Sequence, residues 1–255
     1  MRIHNESLNH YLQWLRDGQY YSFAGFSDAE WYCLLGQRIG EKTGLGQILD
    51  ADHGLLLLDV LKRRQHDQRF LFAVPKCLWP SRTTDGLPGF AEGQIDWFLG
   101  RHDITIEGYE RDRVTDDLAM KGNLYPFIRQ LQDMPVVLIG PAPLRGMEPH
   151  LRYRHFVEIS TPNLHRESGG IERAVDDALS YGRSAVYLVS AGVSAAVIID
   201  RLHDRVARSW FLDCGSIWDG IVGIGAQRQW RADLYANPMA YKRWLKDNLN
   251  GKHAP

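Results

Sequence analysis

The sequence predicts an α/β fold, a Rossmann-like domain with a mostly parallel sheet and helices on both faces. Three observations predict it. Two apolar runs, MPVVLIGP (134–141) and AVYLVSAG (185–192), show no polar alternation and end in small-residue turns. A strand covered on both faces of a parallel sheet reads this way, because neither side of its pleat meets water. Ile171, Ala174, Val175, Ala178 and Leu179 recur at i, i+3, i+4, i+7 and i+8, which is one face of a helix. Strand and helix then alternate at short pitch through residue 215, and parallel strands need such crossovers.

The remaining elements follow in order. Leu8, Tyr11, Leu12 and Leu15 give an N-terminal helix over 5–18 one apolar face, and Gly18 ends it. YYSFAGF (20–26) is a strand, and Ser27 is placed to cap a helix opening at SDAEWYCLLG (27–36). A helix is expected over 52–65, then a strand at RFLFAVP (69–75), stopped by Pro75. Residues 76–93 are rich in Pro, Gly, Ser and Thr and read as a long loop of the kind that often binds ligands. A short helix over 94–100, a strand at DITIEG (103–108) and a mainly helical stretch over 110–132, broken near Gly122, come next. The second half adds strands at HFVEIS (155–160) and SWFLDCG (209–215), a helix at SAAVIIDRLHD (194–204) and a C-terminal helix over 238–249. With no repeat and no break in composition, residues 1–255 are read as a single domain.

Composition excludes several classes. The chain is 44% hydrophobic and 24% charged, enough apolar matter for a packed core. Its 30 basic and 31 acidic side chains leave a net charge of −1, without the basic excess of a general polyelectrolyte binder. Cys33, Cys77 and Cys214 form no CxxC and no disulfide framework, which points to a reducing cytoplasm. No signal core and no apolar run of membrane-spanning length is present. The ten histidines contain no HExxH, and no GxSxG elbow occurs, so zinc and α/β-hydrolase chemistry are disfavoured. The basic run KRRQHDQR (62–69) reads as a solvated helix end.

Four turns carry residues suited to chemistry. In SDAEW (27–31), Asp28 and Glu30 follow a strand and open a helix. Two carboxylates so spaced can converge on a hard cation such as Mg²⁺ or Mn²⁺, although acidic residues also favour any first helical turn. In SAGVSAA (190–196), Ser190, Gly192 and Ser194 form a small-residue turn whose N–H groups can approach a phosphate, or simply a tight turn. In LIGPAPLRG (138–146), Gly140 and Pro141 leave a buried strand at its carboxyl end, and Arg145 is suited to a phosphate or to the open surface. In LDCGSIWD (212–219), Asp213 or Asp219 can hold a sugar hydroxyl, act as a general base or cap a turn.

In this order the turns resemble the glycosyltransferases of the GT-D fold, the DUF1792-like group. That group opens with a pattern near Arg-aromatic-Gly-Asp-Gly-Glu, and Gly25-Phe26-Ser27-Asp28-Ala29-Glu30 is similar to it. Gly140-Pro141 with Arg145-Gly146, Ile159-Ser160-Thr161-Pro162-Asn163, Ser190-Ala191-Gly192-Val193-Ser194-Ala195 and Asp213-Cys214-Gly215-Ser216 match its later motifs. Gly25 stands in place of an Arg, Ala29 of a Gly and Ser216 of a His.

The resemblance implies a nucleotide-sugar donor, UDP-linked by preference, and a metal-dependent transfer to a hydroxyl acceptor on a glycan, a protein or a modified nucleic acid base. Asp28 and Glu30 would serve Mn²⁺ or Mg²⁺, the turns at Gly140, Pro141, Arg145, Ser190, Gly192 and Ser194 would border the donor, and Asp213 would join the catalytic set. Two alternatives stand beside it: a Rossmann-like methyltransferase or dehydrogenase with Asp213 on a ribose, and an inactive nucleotide-binding module.

Overall fold

A computed structural model describes residues 2–3, 8–36, 49–74, 93–105, 108–111, 118–160, 163–225 and 229–251. The elements are β1 (Arg2–Ile3), α1 (Leu8–Arg16), β2 (Ser22–Gly25), α2 (Asp28–Leu34), α3 (Ala51–Arg64), β3 (Phe70–Val74), α4 (Gln94–Arg101) and β4 (Gly108–Arg111). They continue with α5 (Tyr125–Gln132), β5 (Val136–Pro141), α6 (Glu148–Leu151), β6 (His155–Ile159), α7 (Gly170–Ser180), β7 (Val186–Val189), α8 (Ala195–His203), β8 (Trp210–Asp213), α9 (Gln229–Tyr235) and α10 (Pro238–Asn250). A 3-10 helix at Ala142–Met147 joins β5 to α6.

Eight strands form one sheet in the order β1-β4-β3-β2-β8-β7-β5-β6. All its pairings are parallel. The apolar runs are buried on both faces, as their lack of alternation requires. Val136 and Leu138 face one core with Val186, Leu188, Trp210 and Leu212, while Val137 and Ile139 face the other with Tyr187, Val189 and Phe211. The first of these cores is closed by α1, α5, α6 and α10, and the second by α2, α3, α4, α7 and α8. Connections that step toward the β4 edge all cross on the α3 side, and those that step back cross on the α1 side. A single crossover hand demands this division.

The sequence placed a strand at 103–108, but β4 lies at Gly108–Arg111. Asp103 and Ile104 belong to the end of α4. Asp103 has φ 53°, its N–H bonds to Gly100 O, and the Ile104 N–H bonds back to Leu99 O. That is a Schellman closure, which consumes the β-branched residue that suggested a strand. The mainly helical stretch expected over 110–132 is helical at 118–120 and again in α5, with the expected break at Gly122, whose φ is 71°; residues 110–111 belong instead to β4, and 112–117 lie outside the described residues. β1 and α9 were not anticipated. The long loop expected at 76–93 lies, apart from Gly93, outside the described residues.

The basic run at 62–69 is also not wholly solvated. Arg64 is 5% exposed and its guanidinium reaches Asp200 Oδ1 at 2.7 Å and Asp204 Oδ2 at 2.6 Å. It ties the end of α3 to α8. No helix among the described residues is long and apolar enough to cross a membrane.

Candidate active site

Open parallel sheets bind ligands at carboxyl edges where neighbouring strands send their connections to opposite faces. Such points here include the one between β5 and β7 and the one between β8 and β2, which carry the turns singled out by the sequence. The β7–β8 pair separates them, which puts their centres roughly 10 Å apart at ordinary strand spacing.

At the β8–β2 point the structure brings Asp28, Glu30 and Asp213 together. The capping geometry predicted for Ser27 is present, and the Ser27 N–H donates to Glu30 Oε2 at 2.8 Å. That bond turns Glu30 inward, leaving it 7% exposed. Asp28 Oδ1 accepts the Ala29 N–H at 3.1 Å. Asp213 ends β8 beside Gly25, accepting the Gly25 N–H at 3.1 Å through Oδ2 and the Gly215 N–H at 2.9 Å through Oδ1. A Cβ on Gly25 would lie 2.6 Å from Asp213 Oδ2, so the carboxylate occupies the space a side chain at 25 would need.

Burial, with the neighbouring Asp213 and Asp28 charges, pushes the Glu30 carboxyl up to about 8. Burial also pushes Asp213 up to about 6, against the two backbone N–H bonds that favour its charged form. No cationic side chain is among the causes acting on either group. An environment that penalises several like charges at once suits a bound cation, whose field would restore them all to the ionised state. Among the described residues, no three His, Cys, Asp or Glu side chains are arranged to hold a metal by themselves. A cation at Asp28 and Glu30 would therefore need oxygens of a ligand or water to complete its shell, as is usual for Mg²⁺ and Mn²⁺ beside phosphates.

At the β5–β7 point, Gly140 and Pro141 end β5, while Ser190 follows β7 and donates its N–H to Ile139 O at 2.8 Å. Ser190 and Ser194 hydroxyls are buried with no hydrogen-bond partner among the described residues. Gly192 and Ser194 sit in the 3-10 turn that leads into α8. Arg145 lies farther out. Its guanidinium meets Glu158 Oε2 at 3.0 Å and covers the Phe156 ring, so a phosphate would have to compete with Glu158 for it.

Sequence reasoning missed a group that joins these turns. Asp50 caps α3 by accepting the His53 N–H at 3.0 Å. His53 is fully buried, and its Nε2 lies 2.7 Å from Val193 O, inside the 190–196 turn. His165, in the turn after β6, lies with its ring centroid 4.3 Å from that of His53. Gly54 allows α3 to approach α2, since a Cβ there would fall 2.1 Å from Cys33 O. A motif search over neighbouring positions cannot find such a group, because 50, 53, 165 and 193 meet only in space. Arg231 was missed as well. It is 2% exposed, and its guanidinium donates to Ser216 O at 2.6 Å, Ser216 Oγ at 2.7 Å and Asp219 Oδ2 at 3.1 Å.

No family model matches the chain, and no curated protein does. Solved structures do. A glycosyltransferase (DUF1792) from Streptococcus sanguinis superposes with a TM-score of 0.60 at 15% identity, over 92% of this chain and 85% of that one. A second structure, of the domain of unknown function 1792 described as having a distinct glycosyltransferase fold, gives a TM-score of 0.54 at 12% identity, over 92% and 82%. The fold is that of the DUF1792 domains. At this identity the likeness establishes the fold. Two of the three departures noted in the sequence, at Gly25 and Ser216, have a local setting here. Asp213 fills the space beside Gly25, and Arg231 holds Ser216.

Proposed function

We propose that this chain is a glycosyltransferase that moves a sugar from a nucleotide-sugar donor, UDP-linked by preference, to a hydroxyl acceptor, with Mn²⁺ or Mg²⁺ at Asp28 and Glu30. The observation that carries the reading is the Asp28–Glu30 pair at the carboxyl end of a central strand in a DUF1792 fold that extends over 92% of the chain. The acceptor class is a glycan or a protein, with a modified nucleic acid base as the remaining option.

When bound, the cation offsets the charge that gathers on the departing diphosphate. The chain's own groups do the rest. Glu30 and Asp28 supply carboxylate oxygens, with Glu30 aimed by the Ser27 N–H. The turns at Gly140–Pro141 and Ser190–Ser194 border the donor. Asp213, pushed up to about 6, is suited to take a proton from an acceptor hydroxyl near neutral pH.

Release of nucleoside diphosphate from a panel of nucleotide sugars tests this. Turnover should require Mn²⁺ or Mg²⁺ and fall at least 100-fold in Asp28→Ala and in Glu30→Ala. Undiminished turnover in both variants would refute it.

A further inference from the structure

The buried histidine pair has unmet hydrogen-bonding capacity beside the donor turn. A carbonyl oxygen only accepts, so the 2.7 Å contact between His53 Nε2 and Val193 O puts the proton on Nε2. His53 Nδ1 is therefore a lone-pair acceptor, and it is buried with no hydrogen-bond partner among the described residues. His165 Nε2 faces Asp50 Oδ2 at 3.6 Å, beyond hydrogen-bond reach but close enough for the carboxylate to hold the ring proton on that nitrogen. His165 Nδ1 is then a second buried acceptor with no hydrogen-bond partner among the described residues, on a side chain 2% exposed. Leaving such a group unsatisfied is costly, and folded proteins seldom leave one so. Asp50 is itself engaged by the His53 N–H and by Arg166 Nε at 3.2 Å, so it holds His165 without needing to move.

The position of the pair is as informative as its chemistry. His165 follows β6, Val193 follows β7, and Asp50 begins the helix packed on α2, which carries Asp28 and Glu30. His53 thus contacts the turn assigned to the donor, and its neighbour Gly54 packs against Cys33 of the carboxylate helix. Two acceptor nitrogens have nothing to offer a phosphate, whose oxygens are acceptors too. They suit a group that donates. Burial holds both imidazoles below their ordinary range, His53 at about 4, so they remain neutral acceptors at pH 7.

We propose that His165, oriented by Asp50 and packed at a tilt against His53, is a ligand-contacting residue that accepts a hydrogen bond from a sugar hydroxyl of the bound nucleotide sugar. The assignment rests on the glycosyltransferase reading and adds to it a recognition site for hydroxyls, separate from the carboxylates that serve the diphosphate. His53 is its positioning partner, fixing the Val193 carbonyl and the ring beneath His165.

The test is long-range ¹H–¹⁵N NMR of the imidazole nitrogens in full-length protein with Mg²⁺, titrated with UDP-glucose, UDP-galactose, UDP-N-acetylglucosamine, UDP and inorganic pyrophosphate. The His165 signals are identified by their loss in His165→Phe, which keeps a ring in that contact. His165 Nδ1 should shift with at least one nucleotide sugar and stay unmoved with pyrophosphate. A shift with UDP as well places the hydroxyl on the ribose, and a shift with the sugar nucleotide alone places it on the transferred sugar. By calorimetry, His165→Phe should weaken the ligand that causes the shift about tenfold, the worth of one hydrogen bond, and leave pyrophosphate affinity unchanged. If UDP-sugars bind wild type with the His165 signals unmoved, the nitrogen is satisfied by a buried water and this assignment alone is overturned. Equal affinity of His165→Phe and wild type overturns it too. If wild type binds no nucleotide sugar, the assignment and the glycosyltransferase reading fall together.

Discussion

Substituting alanine for Gly25 tests the packing between β2 and the end of β8. The new Cβ would lie 2.6 Å from Asp213 Oδ2 and 3.4 Å from its Cγ. To restore ordinary contact the oxygen must retreat by about 0.8 Å, which takes it out of reach of the Gly25 N–H it now accepts at 3.1 Å. Overpacking of this kind costs about 1–3 kcal/mol, and a lost hydrogen bond to a charged group lies in the same range. We expect Gly25→Ala to destabilise the protein by about 2 kcal/mol, or to lower Tm by about 4–8 °C for a chain of this length. Gly25 has no positive φ, so alanine is not strained by the backbone itself. In an Asp213→Ala background the clash is gone, and the same change should stabilise by about 0.4–1 kcal/mol through the unfolded chain. Urea denaturation of the four proteins in this cycle measures the coupling, expected at about 2–3 kcal/mol. Equal effects of Gly25→Ala in both backgrounds would refute the argument. The same contact bars an arginine at position 25 while Asp213 keeps its present rotamer.

Two further outcomes follow from charge burial. Glu30 binds protons more tightly in the folded state, so its stabilising contribution is complete at low pH and is lost as pH rises through about 8. Stability should therefore fall by about 2 kcal/mol between pH 6.5 and 8, a slope that Glu30→Gln removes and saturating Mg²⁺ flattens; the same slope in Glu30→Gln would show that another group causes it. The window lies above pH 6.5 because His53, held at about 4, acts in the opposite sense below it, losing stability as pH falls. Arg231→Ala should cost about 3–5 kcal/mol in urea denaturation, because it strips a buried guanidinium from Asp219 and Ser216. Arg145→Ala breaks an ion pair whose partners are 57% and 47% exposed, and should cost under about 1 kcal/mol; the reverse ranking would contradict the burial argument.

Most of the layout was legible because it is written locally. Hydrophobic period distinguishes β5 and β7 from α7, and Ser27 with Glu30 marks the start of α2 in four consecutive residues. The misplacement of β4 shows the limit of local reading. Ile104 has strand character by type, yet its N–H closes α4 because the chain reverses at Asp103. Arg64 shows the same limit for charge, since a basic run looks solvated until Asp200 and Asp204 arrive from α8.

The amino-acid sequence by itself determined the alternation of strand and helix, the double burial of the central strands, and the turns at 27–31, 140–146, 190–196 and 212–219. These depend on residues a few positions apart, whose geometry the backbone sets directly. Tertiary structure alone decided the order of the strands, and with it the meeting of Asp213 with Gly25 across 188 positions. It also decided that the His53 and His165 rings meet in one buried contact, and that Arg231 holds Ser216. The physical reason is that burial and hydrogen-bond partnership belong to a position in space. A carboxylate or an imidazole has its ordinary pKa and its ordinary partners, solvent molecules, until the sheet is closed around it.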